Sequence, residues 1–177
     1  MSAFSNPEKN VSKLNLKLGS TVADFGSGSG HYCLALAEVV GERGKVYAVD
    51  IQKALLSKLI NTARGERKNN IEVVWGDLEK ENGTHLRNQS VDAVVISNLL
   101  FQVRNKEAVI NEAYRILESG GAVLAIDWND SLEGIGPVKE MLFSKDSAKI
   151  AFTKAGFETG EEIDAGAHHW GIIFRKK

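Results

Sequence analysis

Short runs dense in valine and isoleucine alternate with longer amphipathic runs along most of this chain, which restricts it to very few architectures. Strand-like runs lie at 21–25, 45–50, 71–75, 91–97 and 122–127. Most are nearly continuous in apolar character, the pattern of parallel strands covered on both faces. Helical runs at 31–40, 53–64 and 105–118 separate them. The second carries Leu55, Leu56, Leu59 and Ile60 on one stripe, and the third Val109, Ile110, Ala113, Tyr114 and Leu117. Asn105 fits a helix start and Gly120-Gly121 a helix stop. One short helix over 6–14 precedes the first strand. Strand-then-helix units repeated in this way imply right-handed crossovers and a doubly wound α/β sheet.

The end of the chain breaks that rhythm. A helix over 144–155, closed by Gly156, leads to strand-like runs at 157–164 and 170–175. Only Ala165-Gly166-Ala167-His168-His169 stands between them. So short a connection cannot cross a sheet, which makes the last strand antiparallel. The expected architecture is a doubly wound, mostly parallel seven-stranded sheet with an antiparallel C-terminal hairpin strand. The length suits one domain over 1–177, with a short N-terminal helical segment (1–20) and an α/β core (21–177).

Composition removes several function classes. A formal net charge of −1 offers no general field for nucleic acid or an anionic membrane. The basic cluster Arg64, Arg67 and Lys68 reads as a solvated helix end. Cys33 is the single cysteine, so no intramolecular disulfide or paired-cysteine metal site can form. The opening MSAFSNPEKNVSK lacks the basic-then-apolar run of a signal peptide. No apolar stretch reaches the roughly 18 residues of a membrane span. A cytoplasmic protein without a membrane span is therefore expected.

The strongest local signal is VADFGSGSGHY at 22–32. A strand ends near Asp24, glycines at 26, 28 and 30 allow close backbone approach, and a helix opens at His31 with free N–H groups. The spacing is G-x-G-x-G. A dinucleotide fingerprint would need glycine or alanine where His31 stands, and a phosphate-cradling loop would need a lysine. Asp50 ends the second strand about 20 residues past the last glycine, placed to accept both hydroxyls of a ribose. It also fits a cap for the helix that follows. The third strand ends in WGDL, where Asp77 could accept from an adenine amino group and Leu78 could cover the ring; a simple Gly-Asp turn is the alternative. The fourth strand ends in ISNLL, which sets Ser97 and Asn98 at the carboxyl edge beside the first strand.

These pieces in this order resemble the class I S-adenosylmethionine-dependent methyltransferases, and the resemblance runs from Val22 to the closing hairpin. The segments RILESGGAVLAIDW and FTKAGFETGEEIDAG are similar to small methyltransferases of ubiquinone and menaquinone biosynthesis. The resemblance implies a Rossmann-like fold and S-adenosyl-L-methionine as cofactor. It also implies cofactor contacts from Asp24, Gly26, Gly28, Gly30, Asp50, Ile51, Asp77, Leu78 and Ser97. Ser97-Asn98-Leu99-Leu100 stands where some relatives carry the Asp/Asn-Pro-Pro-aromatic tetrapeptide that positions an amide or adenine nitrogen. Arsenic-methylating relatives use several cysteines, and only Cys33 exists here. The catechol type would place aspartate where Ser97 or Asn98 stands, so no metal is expected, although Asp127, Asn129 and Asp130 are oxygen donors close in sequence.

In-line displacement from a sulfonium needs alignment more than acid–base help, and the sequence contains no evident catalytic dyad. Topology brings Asn98, Trp128, His168 and His169 to the edge expected for the acceptor. The expected acceptor is a small molecule, with a protein side chain next and nucleic acid disfavoured by the charge balance. Two other readings stand beside this one: a catalytically silent module that binds the cofactor, and a nicotinamide-dependent oxidoreductase.

Overall fold

The computed structural model describes residues 5–131 and 135–177; residues 1–4 of the expected N-terminal segment lie outside them. The chain runs α1 (Pro7–Ser12), β1 (Thr21–Phe25), α2 (His31–Val40), β2 (Lys45–Asp50), α3 (Lys53–Gly65), β3 (Ile71–Trp75), β4 (Val91–Ser97), α4 (Lys106–Ile116) and β5 (Leu117–Trp128). It closes with α5 (Lys145–Lys154), β6 (Phe157–Ile163) and β7 (His169–Lys176). A single sheet of order β3-β2-β1-β4-β5-β7-β6 collects all seven strands. Strands β1 to β5 pair in parallel, and β7 is antiparallel to both β5 and β6. This is the expected Rossmann-like sheet with its reversed hairpin strand.

The almost continuous apolar character of the strands now has its cause. Val22, Val46, Val95 and Leu124 point into one core with α2 and α3. Their neighbours Ala23, Val94 and Val123 point into the other, with α4 and α5. Both faces of the inner strands are covered, so apolar residues fill most positions there, with Asp24 and Asp127 as buried exceptions near the strand ends.

Several element ends shift by a residue or two, the first helix to Pro7–Ser12 among them, and two further boundaries differ in ways that matter more. The third amphipathic helix stops at Ile116 rather than at Gly120-Gly121. Leu117 is already extended and pairs with Val91, so β5 begins five residues early. Gly120, at φ +79°, sits instead where the β4–β5 register shifts. At the other end, β7 begins at His169, which moves that histidine from the connection into the sheet. Asn105 caps α4 as expected, accepting from the Ala108 N–H at 3.0 Å.

Candidate functional site

Strand order reverses between β1 and β4, the place where open α/β sheets hold ligands. There the chain turns from β1 into α2 through the glycine loop. The N–H groups of Gly26 and Ser27 donate to the Val49 carbonyl at 2.8 and 3.1 Å. Gly28 donates to Asp50 Oδ2 at 2.9 Å, and Asp50 Oδ1 accepts from Gln52 N at 2.8 Å. Asp50 thus fastens the loop to β2 and turns the chain into α3. Gly28 has φ +53°, and a Cβ there would meet nothing nearer than 3.8 Å, because open space lies beside it. Gly30 is different: a Cβ would run into Leu59 of α3.

Two cavities flank this loop and share Gly26, Gly28 and Gln102 in their walls. The smaller, about 350 Å³, is lined by Asp50, Ile51, Asp77, Leu78 and Val103. The larger, about 760 Å³, is lined by Asp24, Ser27, Ser97, Asn98, Trp128 and His169, with Tyr32 from α2 and Glu8 from α1. A long ligand can therefore lie over the loop with one end in each.

Buried polar groups concentrate on the larger side. Burial pushes the Asp24 carboxyl up to about 6, a rise that the Cys33 thiol moderates by donating to Oδ2 at 3.0 Å. The Ser27 hydroxyl, the Asn98 carbonyl oxygen and both ring nitrogens of His169 lack a hydrogen-bond partner among the described residues. Each belongs to a residue lining the cavity. Such groups are costly to leave unpaired, so a ligand or water able to pair with them would be favoured there. Asn98 holds the left-handed region at φ +52°, which asparagine tolerates better than most residues. His169 lies against Trp128, ring centroids 4.4 Å apart. Burial holds its imidazole below the usual histidine range.

Of the cofactor contacts implied by resemblance, Asp24, Gly26, Gly28 and Ser97 line the larger cavity, and Asp50, Ile51, Asp77 and Leu78 the smaller. Gly30 lines neither and serves the α2–α3 packing. Asn98, Trp128 and His169 all line the larger cavity, the last two in contact with each other. His168 does not join them: its ring nitrogen pairs with Asp130 at 3.0 Å outside the cavity. Asp127 accepts from the backbone N–H groups of Phe101 and Trp128 at 3.0 and 2.8 Å. It pins the loop after β4, and no metal-ligand cluster forms among the described residues. Sequence reasoning missed Ser27, Tyr32, Gln102 and Glu8. Ser27 and Tyr32 lie inside the glycine motif at 22–32, but Gln102 and Glu8 follow only from how the loop after β4 and α1 fold over the sheet edge.

A family model described as a methyltransferase domain matches residues 16–166. The human arsenite methyltransferase is 34% identical over 118 residues, covering 63% of this chain and 32% of that protein. The demethylmenaquinone methyltransferase of Oceanobacillus iheyensis is 30% identical over 117 residues, covering 66% of this chain and 48% of that protein. The chain thus spans between about a third and a half of the length of these curated relatives. The crystal structure of a SAM dependent methyltransferase from Aquifex aeolicus superposes with TM-score 0.87 at 26% identity, covering 97% of this chain and 90% of that one.

Proposed function

The chain belongs to the methyltransferase-domain family, and from that membership we propose that it transfers the methyl group of S-adenosylmethionine to a small organic acceptor, in the cytoplasm. The observation that carries this reading is the pair of cavities joined along the glycine loop, with Asp50 in one and Asp24 in the other. The residues fit the cofactor. Asp50 retains lone pairs for ribose hydroxyls, and Ile51, Asp77 and Leu78 form a slot for a purine. Asp24 offers a carboxylate to an ammonium, and the unpartnered Ser27 hydroxyl is free for a carboxylate. When bound, the cofactor supplies a methyl carbon on a good leaving group. The protein's own work is then to orient an acceptor among Asn98, Trp128 and His169 and to exclude water. With its ring held neutral, His169 can receive a proton from the acceptor.

Arsenite fits poorly as the acceptor. Trivalent arsenic seeks thiolates as soft metals do, and Cys33 is fully buried, with its thiol donated to Asp24. The nicotinamide reading finds no support in the family match, and His31 already opposed it.

Calorimetry with S-adenosylhomocysteine tests the proposal. A dissociation constant in the micromolar range is expected, roughly 7–9 kcal/mol of binding free energy. No heat and no thermal shift at millimolar ligand would refute it.

A further inference from the structure

The walls of the larger cavity carry charge of one sign only. Asp24, Glu8 and Glu66 line it, and none of its described lining residues is lysine or arginine. Its histidines are His31 and His169, and burial disfavours the charged form of His169. With Asp24 facing the cofactor's ammonium, Glu8 and Glu66 remain as the charged groups that meet an acceptor, and they favour a cation over an anion.

Glu8 is the carboxylate placed for that role. It stands in α1, which is tied down on both sides. Ser5 and Asn10 hydrogen-bond the Tyr32 hydroxyl of α2 at 2.9 Å each, and Lys9 pairs with Asp164 before the β6–β7 turn at 2.7 Å. The helix therefore spans from the glycine-loop side to the hairpin that carries His169. Lys9 is engaged elsewhere, and Glu8 forms no ion pair or side-chain hydrogen bond among the described residues. An independent observation points to a ligand in the same cavity, where Glu8 is exposed on the wall and His169 is buried in it. His169 is only 5% exposed, yet neither ring nitrogen has a hydrogen-bond partner among the described residues, and the Trp128 ring lies against it, tilted by 39°.

We propose that the acceptor is a small amine that arrives as an ammonium ion, selected by Glu8 and relieved of its proton by His169. The inference rests on the methyltransferase reading of this site. The ammonium gives one proton to a ring nitrogen of His169, which uncovers the nitrogen lone pair. That pair forms the N–C bond to the methyl carbon as the S–C bond breaks. The electrons of the broken bond stay on sulfur, leaving a neutral thioether. The methylated amine leaves as a cation, and the imidazolium returns its proton to solvent.

The test uses the whole chain, radiolabelled S-adenosylmethionine and the small-molecule fraction of a cell extract. Labelled products are sorted on cation and anion exchangers at neutral pH and identified by mass. The expected label is retained on the cation exchanger, in a compound one methyl heavier than an amine present in the extract. With that amine, Glu8→Gln should raise KM about tenfold while changing kcat little. His169→Gln should lower kcat at least tenfold and flatten its pH profile, with S-adenosylhomocysteine affinity unchanged. A labelled product that is neutral, anionic or macromolecular would overturn the proposal, as would an unchanged KM in Glu8→Gln. Binding of S-adenosylhomocysteine without any labelled product would overturn it too and leave a cofactor-binding module. Failure to bind S-adenosylhomocysteine would instead remove the underlying methyltransferase reading.

Discussion

Asp50 has two oxygens and a separate backbone duty for each: one holds Gly28 in the glycine loop, the other starts the turn into α3. Ribose hydroxyls would use the remaining lone pairs of the same carboxylate. Asp50→Ala should therefore weaken S-adenosylhomocysteine by about 2–3 kcal/mol, roughly 30- to 150-fold. It should also lower the melting temperature, because two N–H groups lose their acceptor. Calorimetry and a melt on the same sample check both halves, and normal affinity in a destabilised variant would leave Asp50 with the backbone role alone. The place of Asp50 was legible in the sequence, because the end of a strand a fixed distance past a glycine turn puts a carboxylate beside the loop. His168 and His169 were not separable in that way. Adjacent residues at a strand end face opposite directions, and only the true start of β7 decides which ring enters the cavity and which pairs with Asp130.

At the scale of elements, strands were easier to read than ends of helices. A strand buried on both faces is nearly continuous in apolar residues, so β1, β2 and β4 are visible at their full extent, and the half-exposed edge strand β3 keeps enough Val and Ile to be visible too. The end of α4 is not, because Leu117 continues the helical stripe while its backbone leaves to pair with Val91. Tertiary pairing overrides local pattern there. The helix α1 illustrates the opposite dependence. Six residues are too few to hold a helix unaided, so its place over the cavity comes from its anchors. The Lys9–Asp164 pair is exposed and contributes little. The cluster of Ser5, Asn10 and Tyr32 is partly buried and carries more. Tyr32→Phe should cost about 1 kcal/mol, felt locally: amide exchange across 7–12 should quicken while the sheet amides keep their protection. Equal loosening of sheet and helix would mean that α1 is part of the global cooperative unit instead.

Across the whole molecule, the acids divide into two groups with opposite effects on stability. Ion pairing with Lys145 and Lys149 pulls exposed Glu162 down to about 2, and Lys9 lowers Asp164. Such groups favour the fold above the ordinary carboxylate range and cease to do so as pH falls through their folded values. Asp24 and Asp127 act the other way, since burial raises both to about 6 from an ordinary 3.8. Between those values the folded chain keeps protons that the unfolded chain has released. Stability is therefore lost as pH rises through that window, by about 3 kcal/mol for each group. The ligand-free protein should melt at a higher temperature near pH 5 than near pH 7.5. Asp127→Asn and Asp24→Asn should each flatten that slope, because neither amide titrates. Cofactor binding should reverse the balance at one of the two sites, since an ammonium beside Asp24 favours its ionised form. The thermal shift from saturating S-adenosylhomocysteine should then be larger at pH 7.5 than at pH 5 in the natural chain. In Asp24→Asn it should be nearly the same at both. His169, held below its usual range by burial, works against that ligand-free slope, so the single-site variants carry the test. A slope left unflattened in Asp24→Asn would mean that burial does not raise this carboxyl. A thermal shift that keeps its pH dependence in Asp24→Asn would show that Asp24 is not the group that meets the cofactor's charge.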